Sequence, residues 1–444
     1  MRGVADGVRW FATCYGFAYR AGMTEDVALL LRRAGFGPTA AELDAARHSG
    51  YRATLSNLLA PLGPDLGASN APIPDLGLDP FARLPNPTQE QQDRANATRK
   101  TQIELIQRWW LDRMVAANHQ AIEKLVFFWH GHWATSVEKV RSAQLMLIQH
   151  QTLRESRDIV DMARRMILDP ALIYWLDGQH NVKHAPNENL ARELFELFLL
   201  GIGNYSERDV KEAARALTGW RVVLDKRTPV FDPPRHDDRA KTILGTTANF
   251  DAQSLVNLLL RRPECPRFIA ARMWFRYASS TKPIPAATQE RMAAAFPSAN
   301  GMLRALFEDE AFPSTRHDLP KQPVEWLVGA MRQLGIRIAA LPGKVATDLL
   351  YEMKAFGQLP FAPPSVGGWP AGTAWLTSAA AQFRMSIASK LVDVLQPERL
   401  TPEDVAHMLC VDGWTDRTYA VLRNAKNARQ MLILGLASPE YVVT

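Results

Sequence analysis

The sequence predicts an all-α fold, a large multi-helical domain with long irregular loops and at most one small β-hairpin. Along most of the chain, apolar residues recur at the spacing of a buried helix face. Glycine, proline and helix-capping residues interrupt this pattern repeatedly. Strand-like patterning is confined to RVVLD and PVF within 220–250, which could pair as a short hairpin.

The individual helices follow from these interruptions. Helices are predicted at 24–34, 39–48, 50–60, 89–129, 137–155, 156–168, 170–176, 188–200, 207–218, 252–262, 264–278, 286–296, 299–309, 320–335, 343–355, 375–393, 402–411 and 414–435. Three segments rich in proline, glycine or polar residues are predicted to be irregular arms: 61–88, 220–250 and 357–374. We expect the first arm to wrap over the surface.

The natural start of the domain is predicted at Met23, which opens MTEDVALLLRRAGFG. Residues 1–22 carry a short apolar patch without a clean cleavage site, so they make a poor signal peptide. We interpret 1–22 as a disordered extension and 23–440 as one helical domain.

Composition excludes several classes of protein. Of 444 residues, 47% are hydrophobic and 22% are charged, and the net charge of +6 is dispersed, so a nucleic-acid groove is not indicated. No apolar run approaches the roughly 20 residues of a membrane span. Three distant cysteines argue against a disulfide framework, and we expect them to be buried or incidental thiols. A cytoplasmic location is expected, with export as the alternative.

The segment PNENLARELFEL at 186–197 concentrates polar residues on one side of a helix. At 100° per residue, five polar side chains fall within an arc of about 140°. They are Glu188, Asn189, Arg192, Glu193 and Glu196. The arc ends in leucines and contains no lysine, which is unusual for a solvent-facing surface. An ordinary wet face and a buried or cleft-lining polar face both fit this pattern.

Two histidines in FWHGHW, His130 and His132, could share a metal ion. They point the same way only if the helix ends near Trp129, and Gly131 would permit that. The alternative is a pair of histidines satisfied by hydrogen bonds at a helix end. A third polar segment, RHDDRAK, places His236 and Asp237 near Lys241.

The motifs for nucleotide binding, for a serine nucleophile elbow and for HExxH zinc sites are absent. Histidine, glutamate and aspartate residues spread over several helices are typical of metal sites in helical folds or of acid/base carboxylate pairs.

Several motifs recur in the order of a known family. They are LLLRRAGFGP, FWHGHW, DPALIYWLDG, PNENLAREL, GIGNYSERDVKEAARALTGW, HDDRAKTILG and PPSVGGWPAGTAWL. Over about residues 24–390, the chain resembles the bacterial family catalogued as domain of unknown function 1800. The resemblance supports Met23 as the start. It implies that export is possible, because many members carry export signals. It also implies a sulfatase-like protein as a candidate partner, because genes of the family often lie beside genes for such proteins.

The resemblance also assigns characteristic polar positions to this chain. These are His130, His132, Asp177, Asn181, Asn187, Glu188, Asn189, Arg192, Glu193, Glu196, His236, Asp237, Lys241 and Lys321. One departure concerns ELFLLG at 196–201, where many members read ELHTLG. Phe198 replaces their histidine, so we expect the site not to depend on that histidine.

The first functional hypothesis is a metal-dependent hydrolase with its site in a cleft between helices. The predicted ligands of a divalent Zn, Mn or Fe ion are His130, His132, His236 and Asp237. The predicted catalytic residues are Glu188, Glu193 and Arg192. The predicted substrate contacts are Asn189, Lys241, Trp133, Asp177 and Asn181.

Two alternatives stay open. The protein could be a metal-free glycan-active or glycan-binding protein that uses a glutamate pair and stacks sugars on its tryptophans. The tryptophans considered are Trp129, Trp133, Trp220, Trp369 and Trp375. It could also be a non-catalytic partner of a sulfatase-like protein.

Overall fold

The structure is a computed structural model that describes residues 26–226 and 228–444. The predicted extension 1–22 and Cys14 lie outside the described residues. The first half of the chain forms α1 (Val27–Ala34), α2 (Ala40–Ser49), α3 (Tyr51–Leu59), α4 (Leu66–Ser69), α5 (Gln89–Ala116), α6 (Gln120–His132), α7 (Val137–Val140), α8 (Ala143–Glu155), α9 (Ile159–Met166), α10 (Pro170–Trp175), α11 (Asn189–Glu193) and α12 (Glu207–Ala216). A π-helical turn, Leu194–Leu199, continues α11.

Two antiparallel hairpins follow α12. They are formed by β1 (Trp220–Arg221) with β2 (Val230–Phe231) and by β3 (Lys241–Ile243) with β4 (Thr246–Ala248). The remaining helices are α13 (Ala252–Leu260), α14 (Glu264–Tyr277), α15 (Ala286–Ala294), α16 (Ala299–Phe307), α17 (Pro323–Gln333), α18 (Gly343–Phe356), α19 (Ser378–Leu395), α20 (Pro402–Met408), α21 (Asp416–Arg423), α22 (Ala428–Ala437) and α23 (Pro439–Val442). The all-α prediction is confirmed, with a second hairpin beside the expected one.

Two large apolar clusters form the core, and α6 contributes to both. Phe128 and Trp129 pack in one cluster, while Val126 and Phe127 pack in the other. A helix that is apolar on all sides is expected to be buried. Cys265 and Cys410 are free, buried thiols, as expected. In the described ranges, every helix is too short or too polar to cross a bilayer.

The first irregular arm, 61–88, lies against α5 as predicted. Arg99 forms an ion pair of 2.6 Å with Asp79, and the Trp109 indole N–H donates to the Ala71 carbonyl at 3.0 Å. These bonds hold a segment that has little regular structure of its own.

The predicted helix 89–129 is interrupted, and it ends later than expected. The break lies at Ala117–His119, where the Gln120 side-chain amide donates to the carbonyls of Met114 and Ala117 at 2.8 Å each. This side chain replaces the backbone donors that a continuous helix would supply. After the break, α6 continues through Gly131 to His132, so the predicted end near Trp129 is wrong.

The third irregular arm, 357–374, closes over the end of α6. The Phe361 N–H donates to His130 Nε2 at 3.1 Å, and the Phe361 carbonyl accepts from the Val137 N–H at 2.9 Å. Gly368 has a φ of +81°, and a Cβ there would overlap the Gly131 carbonyl oxygen. The arm therefore depends on glycine at 368 for its close approach to the helix.

We predict opposite effects for two neighbouring glycine substitutions. Gly368→Ala lowers the free energy of unfolding by more than about 1 kcal/mol, because the left-handed backbone and the overlap both disfavour alanine. Gly131→Ala leaves stability unchanged or raises it by about 0.5–1 kcal/mol, because Gly131 is helical. Its Cβ would meet Trp369 at an ordinary 3.7 Å. Chemical denaturation of both variants measures these changes in the free energy of unfolding. Equal losses in the two variants would contradict the close approach of the arm to α6 at Gly368.

Candidate functional site

The polar arc of α11 forms a surface ion-pair network. The Arg192 guanidinium lies 3.0 Å from the Glu188 carboxylate and 2.8 Å from Glu207, the first residue of α12. Asn189 is exposed, and its N–H donates to the Asn187 side chain at 2.9 Å. These residues tie α11 to α12, so the predicted catalytic arginine is already occupied by two carboxylates.

The two glutamates that end the arc differ from this network. Glu193 is half-buried, and its pKa is raised by burial and then by the nearby Glu196. The Tyr205 hydroxyl donates to Glu196 at 3.1 Å. The pKa of Glu193 is thus influenced by Glu196, whereas Glu188 pairs with Arg192, and an acid/base pair of Glu188 and Glu193 stays a prediction.

The π-helical turn explains why the arc ends in leucines. The Leu200 N–H donates to the carbonyl of Phe195, five residues back, at 3.0 Å. This wider turn shifts the helical phase from the 100° per residue of a regular helix. Leu199 and Leu200 consequently lie in the core. Phe198 is on the apolar side of a regular helix already, and its ring centroid lies 4.6 Å from that of Trp133. Phe198 therefore occupies an apolar position, which agrees with a site independent of the family histidine.

His130 and His132 face different sides of α6, because both belong to the helix. The His130 ring meets Trp110 at 5.1 Å and Trp369 at 5.4 Å in one apolar cluster. The His132 ring meets Trp129 at 5.4 Å in the other cluster. Burial lowers the pKa of each histidine to about 3, so both are neutral near pH 7.

Hydrogen bonds fix the tautomers of the two histidines. His130 Nε2 accepts from the Phe361 N–H, as described above. His132 Nε2 lies 2.9 Å from the Phe198 carbonyl, which can only accept, so Nε2 carries the proton. The buried Nδ1 of His132 has no partner among the described residues. The interpretation as histidines satisfied by hydrogen bonds fits the bonded Nε2 of each ring.

The RHDDRAK loop is held by arginines. The buried Asp237 carboxylate accepts from Arg239 at 2.7 Å and from Arg215 of α12 at 2.8 Å. Hydrogen bonds from Arg239 first, and then from Arg215, hold the pKa of Asp237 well below its ordinary value. His236 Nδ1 lies 2.9 Å from the Thr218 carbonyl. The buried Lys241 ammonium donates to Asn249 at 3.2 Å, so it lies inside the hairpin region.

The predicted substrate contacts before α11 are also engaged. Asp177 lies 2.8 Å from the Lys139 ammonium. The buried Asn181 amide donates to the Ala214 carbonyl of α12 at 2.8 Å and accepts from the Asn187 N–H at 2.9 Å. Trp133 is 2% exposed and packs in the core. These residues join neighbouring elements.

The structure does not bring the four predicted metal ligands together. Within residues 26–226 and 228–444, no group of three or more His, Cys, Asp or Glu side chains could hold a metal ion. The predicted metal centre therefore gains no support from the geometry, and metal binding stays a prediction.

A different group of charged residues, which the sequence analysis missed, lies beneath α6. We call it the interior charge cluster, and its members are Arg33, Lys124, Arg276, Lys321 and Glu325. Its lysines and Arg33 are buried, with 3–7% of their surface exposed. Lys124 forms an ion pair of 2.6 Å with Glu325 and donates to the Gly35 carbonyl at 3.2 Å. The cluster contains four cations and one carboxylate.

The cations of this cluster have unequal partners. Arg33 donates to four main-chain oxygens, two of which lie at 2.6 Å, on Ala278 and Thr444. The Lys321 ammonium lies 3.4 Å above the Tyr441 ring and has no carboxylate partner among the described residues. Burial lowers the pKa of Lys321 well below its ordinary value and that of Arg33 to about 9. A buried cation without an anion is costly, so Lys321 is the anomaly of this region.

Two small cavities adjoin the cluster. The tyrosine cavity, of about 20 Å³, is lined by Lys124, Arg276, Tyr277, Glu325 and Trp369 among others. The lysine cavity, of about 10 Å³, is lined by Arg32, Arg33, Lys124, Arg276, Lys321 and Glu325 among others. The buried Tyr277 hydroxyl and the Trp369 indole N–H have no partner among the described residues. Of the interior charge cluster, the sequence analysis named only Lys321, as one of the characteristic polar positions that the family resemblance implies.

We predict that Asp237 serves to stabilise the fold and does not serve as a metal ligand. Asp237→Asn lowers the free energy of unfolding by about 1–3 kcal/mol, because it removes the buried carboxylate that accepts from Arg215 and Arg239. The exposed neighbour Asp238 provides the control, and Asp238→Asn changes stability by less than about 0.5 kcal/mol.

The same pair of variants gives a pH test. The folded-state pKa of Asp237 is lowered, so its contribution is present above the unfolded pKa of about 3.9 and is lost as the pH falls through the folded-state pKa. The stability difference between wild type and Asp237→Asn therefore shrinks below about pH 4. Urea denaturation of both proteins between pH 3 and pH 7 measures this difference in unfolding free energy. A difference that stays constant over this range would contradict the stabilising role of the Asp237 carboxylate.

Comparison with known proteins identifies a family and no activity. The family model described as "Protein of unknown function (DUF1800)" matches residues 29–443, nearly the whole chain. No curated protein and no solved structure matches the chain significantly.

Proposed function

The chain belongs to the DUF1800 family, whose description names no activity, and from this premise we propose that the protein binds an anionic group at the interior charge cluster. The group is a halide, carboxylate, sulfate or phosphate, or the charged end of a larger ligand. The observation that carries the proposal is the excess of buried cations around the lysine cavity. Five of its lining residues are cationic, against the lining carboxylate of Glu325 and that of Asp412, which pairs with Arg32 at 2.7 Å.

The energetics of buried charge support this proposal. Moving a charge from water into a protein interior costs several kcal/mol unless a partner compensates it. Glu325 compensates Lys124, and main-chain oxygens accept from Arg33. Lys321 has an aromatic ring beneath it, and a cation–π contact contributes only about 0.5–2 kcal/mol. A bound anion would supply the missing negative charge.

The other hypotheses have less support. A metal-dependent hydrolase stays a prediction that metal analysis of the purified protein tests directly. Sugar stacking on the named tryptophans is disfavoured, because four of the five are buried. Those four, Trp129, Trp133, Trp369 and Trp375, are at most 5% exposed. No contact in the described residues bears on a sulfatase-like partner.

We predict that small anions stabilise the wild-type protein. The midpoint of thermal unfolding rises with anion concentration at constant ionic strength, and saturating anion adds about 2.7 kcal/mol at one hundred times the dissociation constant. Lys321→Met loses most of this shift, because it removes the cation and keeps an unbranched side chain that is one atom shorter. A thermal-shift titration with sodium chloride, sulfate, phosphate and acetate against gluconate measures it.

The control for this titration is Lys344→Met. The Lys344 side chain is 86% exposed and pairs with Asp348 on the surface of α18. Its loss changes the net charge equally but leaves the cluster intact, so it retains the wild-type shift. Equal shifts in wild type and Lys321→Met would show a general salt effect and would contradict the proposal.

We predict a complementary result for the one carboxylate of the cluster. Glu325→Gln in low-anion buffer lowers the free energy of unfolding by about 3–5 kcal/mol, because Lys124 loses its partner. Added anion restores more stability to this variant than to wild type. Glutamine at this N3 position keeps a side-chain acceptor for the capping bond of α17. Calorimetry with and without anion measures this, with the exposed Glu310→Gln as the control.

A further inference from the structure

The tyrosine cavity and the lysine cavity differ in the charge of their lining residues. They also differ in which lining groups lack a hydrogen-bond partner. The tyrosine cavity has two cationic lining residues and Glu325, whereas the lysine cavity has five cationic lining residues against Glu325 and against Asp412, which pairs with Arg32 at 2.7 Å. The charge that calls for an anion is therefore concentrated in the lysine cavity.

Three side chains around the lysine cavity, those of Arg32, Arg33 and Lys321, carry donors that lack acceptors in the described part of the chain, while Glu325 and Thr444 on the same lining carry acceptor oxygens. The buried Nε–H groups of Arg32 and Arg33 have no acceptor among the described residues. The Lys321 ammonium lies 3.4 Å above the centre of the Tyr441 ring, whose face offers no lone pair. Arginine and lysine side chains have no acceptor atoms. An anion placed beside Arg32, Arg33 and Lys321 would accept from these unpartnered donors.

The volume of the lysine cavity limits the size of the ligand. About 10 Å³ is close to the smallest space that holds one water-sized sphere. A halide ion is only slightly larger than water, so small side-chain adjustments can admit it. Sulfate and phosphate carry four oxygens, and they would require α1 to move away from the segment around Lys321.

We infer that the ligand of the lysine cavity is a monatomic anion of the halide class, seated among Arg32, Arg33 and Lys321. This inference rests on the proposed function and narrows it. The ion links α1 to the segment that precedes α17, two parts of the chain almost 300 residues apart. Its binding involves no covalent step, and its consequence is a fold that is more stable when halide is present.

Bromide is the probe, because its anomalous X-ray scattering locates it. We expect crystals of the full chain grown in sodium bromide to show an anomalous peak in the lysine cavity. In solution, bromide and chloride raise the unfolding midpoint, and sulfate and phosphate at equal ionic strength do not. Lys321→Met weakens the bromide affinity at least about tenfold, as expected for loss of a charge-assisted contact. Lys344→Met leaves it unchanged.

The outcomes separate this inference from the proposed function. Sulfate or phosphate in the cavity, with α1 displaced and no bromide peak, would overturn the halide assignment and leave the proposed function standing. An empty cavity together with an unfolding midpoint that no anion changes would overturn both. Bromide found only at exposed lysines and arginines, with an affinity unaffected by Lys321→Met, would mark an adventitious ion only and would also overturn both. If Lys321→Met fails to fold, Lys321→Gln takes its place in the titration.

Discussion

Helix α6 has almost no exposed surface, and this one constraint determines what the residues around it must do. Every residue of the helix except Ile122 and Leu125 is buried. Apolar side chains fit such a position without further partners, but Glu123 and Lys124 do not. Glu123 accepts from Arg113 at 3.0 Å and from Arg154 at 2.6 Å. The burial of α6 therefore requires cations and carboxylates to enter the interior from several other helices.

The same constraint accounts for the position of the interior charge cluster. Lys124 brings one cation inside and pairs with Glu325, which would by itself give a neutral interior. Arg33, Arg276 and Lys321 add positive charge that this carboxylate cannot also balance. Structural need explains Lys124 and Glu325 as a pair, and it explains Arg33 through its main-chain oxygen partners. It does not explain Lys321, and this residue is the reason to infer a ligand.

Much of the fold follows from local sequence patterns, because helices form from local spacing and caps. Ser206, for example, caps α12 with the expected side-chain bond to the Asp209 N–H. The break at Ala117–His119 was missed because it depends on where the Gln120 side chain points, which the apolar pattern does not record. The second hairpin was missed because β3 and β4 are only three residues long each. The phase shift of the π-helical turn was likewise invisible to a wheel drawn at 100° per residue.

The candidate site was harder to predict for a physical reason. The polar segments that stand out in the sequence mostly join α12 to its surroundings: Arg192 binds its first residue, and Asp237 binds Arg215 in its last turn. Residues in dense polar motifs thus form hydrogen bonds and ion pairs with one another. A side chain whose donors and acceptors are already used in this way has few free to bind a ligand. The interior charge cluster gathers single residues from positions 33 to 325, most of which lie far apart in the sequence. A residue such as Lys321 becomes notable only when the fold shows that its charge has no counterpart.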